Sequence, residues 1–576
     1  MNSNSDKSLP NSGEEKQDIA DEQVEQVQTN ERIPGHENYY EKDGLRTYGD
    51  DEDHDHEPKM TFHRIMSLVA MAFLWTGSQI PVYLFGGIPP YIYRDIGGAD
   101  RWIWFVLANL LSLAAVCPFV GSLSDLMGRR YVALLGAAFI ILGMIVGSTA
   151  NTMNIFICGM SLAGIGAGIN ELTALAATSE LAPTRKRGKY VAVLIFTILP
   201  FCPSVLWAQL IASNSTWRHC GTLCGVWAAP RVNSQGLTRM EVIKQIDFVG
   251  GFLSISGMIV FLAGLQWGGY MYDWKSAHVL APLLIGATLI IAFIVWEVYF
   301  ALYPMFPRRL DQAPRILTMT LIITFISGAN FFSILMFWPT QAYNVYGHNP
   351  VGVGIRGIPI GFSILAGAVI VLWLLSALRG KNKELLIASS VLMTAGTGSL
   401  AVANADNLNT LWGLLILAGL GIGGIVVPAS IMTTIICPDD LIATVAAITL
   451  SIRVIGGGIG YTVYYNIFIK KFTTASIHYI GGAMMLDLGI TNTTYITDAI
   501  KLTGAALLED LALIPGIGDN VTAQEIVIRA GQVAFAESYR YVYFASLAFG
   551  AVAIIAACFL GDISEYMDDH VAVVMH

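Results

Sequence analysis

Glu171 is the residue of this sequence that most needs a chemical explanation. It lies well inside the apolar run 154–178, where a carboxyl group is costly unless it is paired, hydrated or protonated, and so is a functional candidate by default. Such a group either takes up and releases a proton or makes a buried structural hydrogen bond. Arg453 sits near the middle of a second apolar run. It requires a carboxylate such as Glu171, the carbonyl ends and acidic groups near Asp125, or an anionic substrate, with a structural ion pair ranked slightly ahead of substrate binding. Gly456 and Gly460 follow it at the spacing that lets two membrane helices pack closely. The third charged group is the turn GSLSDLMGRR at 121–130. Gly121 and Gly128 permit a tight reversal, Asp125 can pair with a cation, and Arg129 and Arg130 hold the turn on the cytoplasmic side. No phosphate-binding glycine loop ending in Lys-Ser/Thr is present, nor a nucleophile–base set or metal spacing. The expectation is therefore no enzyme, no cofactor, no metal and no nucleic-acid partner.

The elements that must position these groups are membrane helices. A chain of 576 residues with 54% hydrophobic and 13% charged residues is too apolar for a soluble protein, and its mean hydropathy is +0.58. The net charge of −9 comes from the first 60 residues, which hold 17 acidic and 6 basic side chains against 25 and 27 in the remainder. That segment, 1–60, reads as a disordered cytoplasmic tail. Within it His54, Asp55 and His56 read as a solvated charge run rather than a loose metal site. Cys117, Cys158, Cys202, Cys220, Cys224, Cys437 and Cys558 read as small packing residues, with a Cys220–Cys224 pair outside the membrane left open. No cleavable signal is expected, the first membrane helix directing insertion.

Apolar runs long enough to span fall at 65–92, 102–123, 131–150, 154–178, 190–212, 248–268, 278–302, 316–338, 355–378, 385–404, 410–436, 441–468 and 541–561. Thirteen crossings conflict with the charges. With the N-terminus inside, the loops of Arg129/Arg130 and Arg185/Lys186/Arg187/Lys189 are cytoplasmic, but those of Arg308/Arg309/Arg315 and Arg379/Lys381/Lys383 follow only if another crossing lies between Arg218 and Asp247. The sequons at Asn214, Asn492 and Asn520 become extracytoplasmic on the same condition. Fourteen crossings are thus intended, with the sixth truncated.

An internal repeat organises these spans. At an offset of 255 residues, ANTMN at 150–154 falls on ADNLN at 405–409, LAGIG at 162–166 on LAGLG at 417–421, and Pro183 on Pro438. Parallel repeats of this kind belong to carriers that rock two halves about a central site. Glu171 falls on Val426, an asymmetry that favours function over scaffold.

GSLSDLMGRR, AGIGAGINELTALAATSELAP at 163–183, TWR at 216–218, RVIGGGIGY at 453–461 and ISEYMDDHVAV at 563–573 together resemble a fungal major facilitator of the fourteen-span drug:proton antiporter type. The likeness covers roughly 60–576 and is strongest to the trichothecene efflux pump branch, near the siderophore-iron transporters. It implies an all-α polytopic membrane protein of the major facilitator fold, with two six-helix halves and two linking helices. The corresponding boundaries are 61–246 for the first half, 247–303 for the linking helices, 304–562 for the second half including an outer loop at 470–539, and 563–576 for a cytoplasmic end. Three features depart from the pattern: Met160 stands where such antiporters hold an arginine, LPFCP at 199–203 replaces a Gly-Pro run, and the sixth crossing is short.

The resemblance implies a conformational latch at Gly121, Asp125, Gly128, Arg129 and Arg130, while the buried positions of Glu171 and Arg453 make them the expected proton-coupling groups. Gln79, Asn170, Asn330 and Trp338 are the expected substrate contacts, with Tyr83 and Phe331 as stacking surfaces. The loop 470–539 is either an amphipathic cover over the outer mouth or a tolerated insertion. The expected activity is export of a bulky apolar toxin, secondary metabolite or drug by proton antiport, as a glycosylated monomer in the plasma membrane or a vacuolar or vesicular one. Proton-coupled uptake of ferric siderophores and a transport-dead receptor are the alternatives.

Overall fold

The computed structural model describes residues 40–42, 45–47, 62–227, 247–378 and 381–567, apart from 100, 128, 270–271, 302–312 and 519. The acidic tail, with His54, Asp55 and His56, lies outside these residues except for a small hairpin, which pairs Tyr40 with Thr47. The rest is helical. Twelve helices among the described residues are long and apolar enough to cross a membrane.

The first half opens with α1 (Phe62–Phe85). The run read as 65–92 is broken after Phe85 by two glycines and the Pro89-Pro90 pair, which starts a separate short helix α2 (Pro89–Ile96). Next come α3 (Ile103–Met127), α4 (Arg129–Ser148) and α5 (Met153–Leu181). The fifth crossing is two helices, α6 (Arg187–Phe196) and α7 (Ser204–Asn214). Pro200 and Pro203 lack the N–H groups that would continue the ladder, and one 3₁₀ turn at Leu199–Phe201 fills the break. Counted with this broken span, the twelve long helices make thirteen.

The sixth crossing begins with α8 (His219–Trp227). At about 1.5 Å per residue it rises roughly 13 Å, under half of an apolar layer about 30 Å thick; residues 228–246 lie outside the described ones. The residues on either side are placed. Arg218 donates to the carbonyls of Ser148 and Ala150 at the outer end of α4, at 2.9 and 2.6 Å. Phe248 contacts Phe119 on the inner half of α3, ring centroids 6.4 Å apart. Arg218 and Phe248 thus lie at opposite ends of the bundle. Cys220 and Cys224, both on α8, are buried and free.

Helices α9 (Phe248–Trp267) and α10 (Ala277–Tyr299) pack on each other as the linking pair. Only 11% of the α10 apolar window is buried, and its Leu284, Ile291 and Val298 face outward, as befits a lipid-facing helix. The second half comprises α11 (Pro314–Tyr346), α12 (Pro350–Ala377), α13 (Asn382–Ser399), α14 (Leu408–Ile435) and α15 (Ile442–Ser476). After α16 (Gly482–Leu486) and α17 (Thr493–Gly504), α18 (Val521–Cys558) returns through the bundle. The last helix begins twenty residues before the run read from the sequence, because polar residues such as Glu525 and Arg529 interrupt its apolarity without breaking the helix.

Glycine contacts confirm the two-fold plan. On α5 a side chain at Gly164 would strike the Asn109 backbone of α3, and one at Gly166 would strike Gly136 and Ile140 of α4. One repeat on, Gly419 of α14 meets Ser363 and Ile360 of α12, and Gly421 meets Leu392 and Met393 of α13. The aligned glycines thus do the same packing in each half. Between α11 and α15 the approach is equally close: Gly328 lies against the Arg453 carbonyl and Gly456 against that of Phe325. Any side chain there would force the helices apart.

Candidate functional site

The site forms where α5 and α15 face each other between the halves. Glu171 lies ten residues before the end of α5 at Leu181, roughly 15 Å along the helix. Its Oε1 pairs with Nη2 of Arg453, both side chains being only 5% exposed. Arg453 also donates from Nη1 to the carbonyl of Val426 at 3.3 Å, the residue that replaces Glu171 in the second repeat. The guanidinium therefore bridges a carboxylate of one half and a backbone carbonyl of the other. The pair stands in the wall of a cavity of about 120 Å³ bounded by both halves.

Gln79, Tyr83 and Phe331 line this cavity, as anticipated, with Trp75, Asn109 and Phe332 beside them. Three expected substrate contacts do not. Asn170 is buried against Gly136 on the α4 side of α5, a step of about 100° from Glu171 on an α-helix. Asn330 accepts a hydrogen bond from the Tyr464 hydroxyl at 2.9 Å and faces α18 through a separate small void. Trp338 is fully buried and donates to the Arg356 carbonyl at 2.7 Å. Asn109, which donates to the Met160 carbonyl at 3.0 Å, was accessible to the same reasoning that found Gln79, as a polar residue inside an apolar run.

Two further ion pairs gather at the cytoplasmic end. Arg129 grips both carboxylate oxygens of Glu180, at the end of α5, and donates to Ser124 Oγ at 2.7 Å. Gly128 and the Asp125 side chain lie outside the described residues, while Gly121 packs on Ala443, Thr444 and Ala447 of the opposite half. Arg187, completely buried at the start of α6, donates to the carbonyls of Ser179 and Thr434 at 2.9 and 2.5 Å. It also pairs with Asp439 at 3.2 Å, tying the halves together. The sequence reading took Arg187 for a topology signal only, since nothing near it in the chain marks Asp439 as its partner.

The Arg129–Glu180 grip joins the start of α4 to the end of α5. Charge-assisted hydrogen bonds of this burial are worth about 1.5–3 kcal/mol. Glu180→Gln is expected to slow transport at least about fivefold while ligand binding is retained, and Asp125→Asn to behave alike. Loss of binding itself in either variant, measured with radiolabelled ligand, would count against a latch.

Asn214, Asn492 and Asn520 are exposed. Asn492 and Asn520 cap α17 and α18 through Oδ1. No cluster able to hold a metal ion occurs among the described residues.

Comparisons with known proteins agree with this arrangement. The chain is 23% identical over 505 residues to the trichothecene efflux pump TRI12 of Fusarium sporotrichioides, covering 84% of this chain and 83% of that one. It is 26% identical to the MFS-type transporter gkaD of Penicillium citrinum, covering 87% and 85%. It is 25% identical to the efflux pump aflT of Aspergillus parasiticus, covering 65% and 74%. The proton:xylose symporter XylE shares the fold with a TM-score of 0.53 at 12% identity, covering 88% of this chain and 98% of that one. Matched over residues 69–576, the chain belongs to the fungal trichothecene efflux pump (TRI12) family of major facilitator transporters.

Proposed function

We propose that this protein exports a bulky, largely apolar small molecule from a fungal cell in exchange for protons, as a glycosylated monomer in the plasma membrane. The observation that carries the reading is the buried Glu171–Arg453 pair, which reaches across the two halves beside the central cavity. A proton arriving at Glu171 cancels its charge and releases Arg453 from it. Departure of the proton restores the pair and draws α5 and α15 together again. Protonation and the rocking of the halves are thereby one event, and a ligand competing for the same cavity is coupled to it.

The cavity has the size of a contracted state. About 120 Å³ is well below the roughly 300–1,000 Å³ of drug-sized sites, so a bulky ligand is admitted only once the Arg187–Asp439 tie opens. Asp125, Arg129 and Arg130 then act as the cytoplasmic latch, and Gln79, Tyr83 and Phe331 as ligand contacts.

Expression in a yeast strain stripped of its own efflux pumps tests direction and substrate class together. Raised tolerance to one or more apolar fungal toxins, with lower cellular accumulation, is the expected result. Unchanged tolerance across the panel, with growth under iron limitation rescued by a ferric siderophore, would reverse the direction.

A further inference from the structure

Above the central site the bundle opens into two larger spaces, of about 410 and 440 Å³. They share Trp102, Thr340, Asn344, Tyr465 and Lys501 in their walls and form one vestibule. Its roof is residues 477–518, part of the loop 470–539 read from sequence as a cover or an insertion. This segment is a folded cap whose Ile480, Met484, Ile496, Leu511 and Ile514 form a core together with Val527 of α18. Tyr93 of α2 donates to the Ala505 carbonyl at 2.7 Å, and Arg94 pairs with Glu509, which tie the cap down on the first half. Arg94 holds the Glu509 carboxyl below the usual carboxylate range, so this tie persists on mild acidification and is lost only as the pH falls through that lowered value.

The vestibule has a definite chemistry. One wall is a run of aromatic rings from α15 and α18: Phe468 stacks on Tyr539 at 4.5 Å, and Phe472 lies against Phe535 at 4.4 Å. Flat faces of this kind bind other flat faces. Against them stands Lys501 of the cap helix α17, the one charged side chain among the described residues in the walls of either space, among which no carboxylate occurs. No ion pair to Lys501 occurs among the described residues. Thr340, Asn344 and Thr497 add hydrogen-bonding groups between the two. An apolar ring wall facing a single ammonium group selects a molecule with both features.

We propose that the vestibule is a second ligand site, separate from the central cavity, which takes planar aromatic or polycyclic molecules carrying one acidic group. Its volume suits such a ligand, whereas the contracted central cavity does not. For an exported molecule this would be the station between release from the central site and departure past the cap. That placement rests on the export reading; the binding itself does not.

Binding measured without transport separates the two. The full-length protein in nanodiscs is probed by scintillation proximity with tritiated 1-naphthaleneacetic acid, competed by the unlabelled acid or by neutral 1-naphthaleneacetamide. The acid is expected to compete about 1.5- to fivefold better than the amide, the range of a part-exposed charge pair. Lys501→Gln should erase that preference while leaving amide competition unchanged. Thr497→Trp, at an exposed position of the cap that faces the vestibule, should displace both ligands. No saturable acid binding, equal competition by acid and amide, or a preference that survives Lys501→Gln would each overturn the proposal. So would binding kept in Thr497→Trp, since the probe would then occupy a site elsewhere.

Discussion

Glu171→Gln is expected to abolish pH-gradient-driven export, reducing it at least about tenfold in proteoliposomes, while exchange of ligand down its own gradient continues. Glutamine keeps the shape and a hydrogen-bond acceptor for Arg453 but carries no titratable proton. Arg453 then remains a buried cation without its counter-charge, and breaking a buried pair from one side costs about 3–5 kcal/mol. A loss of folded protein is therefore a competing outcome, and the double variant Glu171→Gln/Arg453→Gln separates it. Removing both charges should restore the yield without restoring the dependence on a proton gradient. Restored proton coupling in the double variant would place the coupling carboxylate elsewhere.

The second large effect is expected at Arg187. Its guanidinium is fully buried and holds Asp439, whose side chain is 5% exposed, together with carbonyls of both halves. Arg187→Ala strands the Asp439 carboxylate, at a cost of about 3–5 kcal/mol in the closed arrangement, whereas separation of the halves lets water reach it. The cytoplasmic end should open. Cys202 lines the central cavity and is a native reporter once the exposed Cys158 and Cys558 are replaced by Ser. Labelling of Cys202 by a membrane-impermeant maleimide from the cytoplasmic side should rise at least about tenfold, the change that about 1.4 kcal/mol of the tie would produce. Asp439→Asn should act in the same direction, less strongly because a neutral amide still accepts from Arg187. Equal labelling in wild type and Arg187→Ala would remove this pair from the closing mechanism.

What was legible in the sequence follows from what each residue costs where it stands. A carboxylate at Glu171 and a guanidinium at Arg453 are expensive in apolar helices, so their positions alone announced them, and Glu171 was among the partners available to Arg453. A further crossing is expected because fixed positive charges must stay on one side; Arg218 and Phe248 lie at opposite ends of the bundle, and residues 228–246 between them lie outside the described ones. Side-chain direction was not legible. Helices α5 and α14 are lined by small and apolar residues all round and buried on nearly every side, so no polar face shows which side of Asn170 meets the cavity. Asn330 and Trp338 fail for a related reason: each is turned to a partner within the second half, Asn330 Oδ1 accepting from Tyr464 and Trp338 donating to the Arg356 carbonyl. Glu180 and Asp439 looked like ordinary charges at helix ends, because their partners lie 51 and 252 residues away in the chain. The cap escaped notice as a folded unit because its helices are too polar to register as spans.

Proton release on ligand binding tests the central claim most directly. Calorimetry on the reconstituted protein, repeated in buffers of different ionisation enthalpy, counts protons released per ligand bound, using a toxin identified by the growth assay. Wild type is predicted to release close to one proton, and Glu171→Gln, binding the same ligand, none. Equal proton release from the two proteins would contradict the assignment of Glu171 as the coupling group.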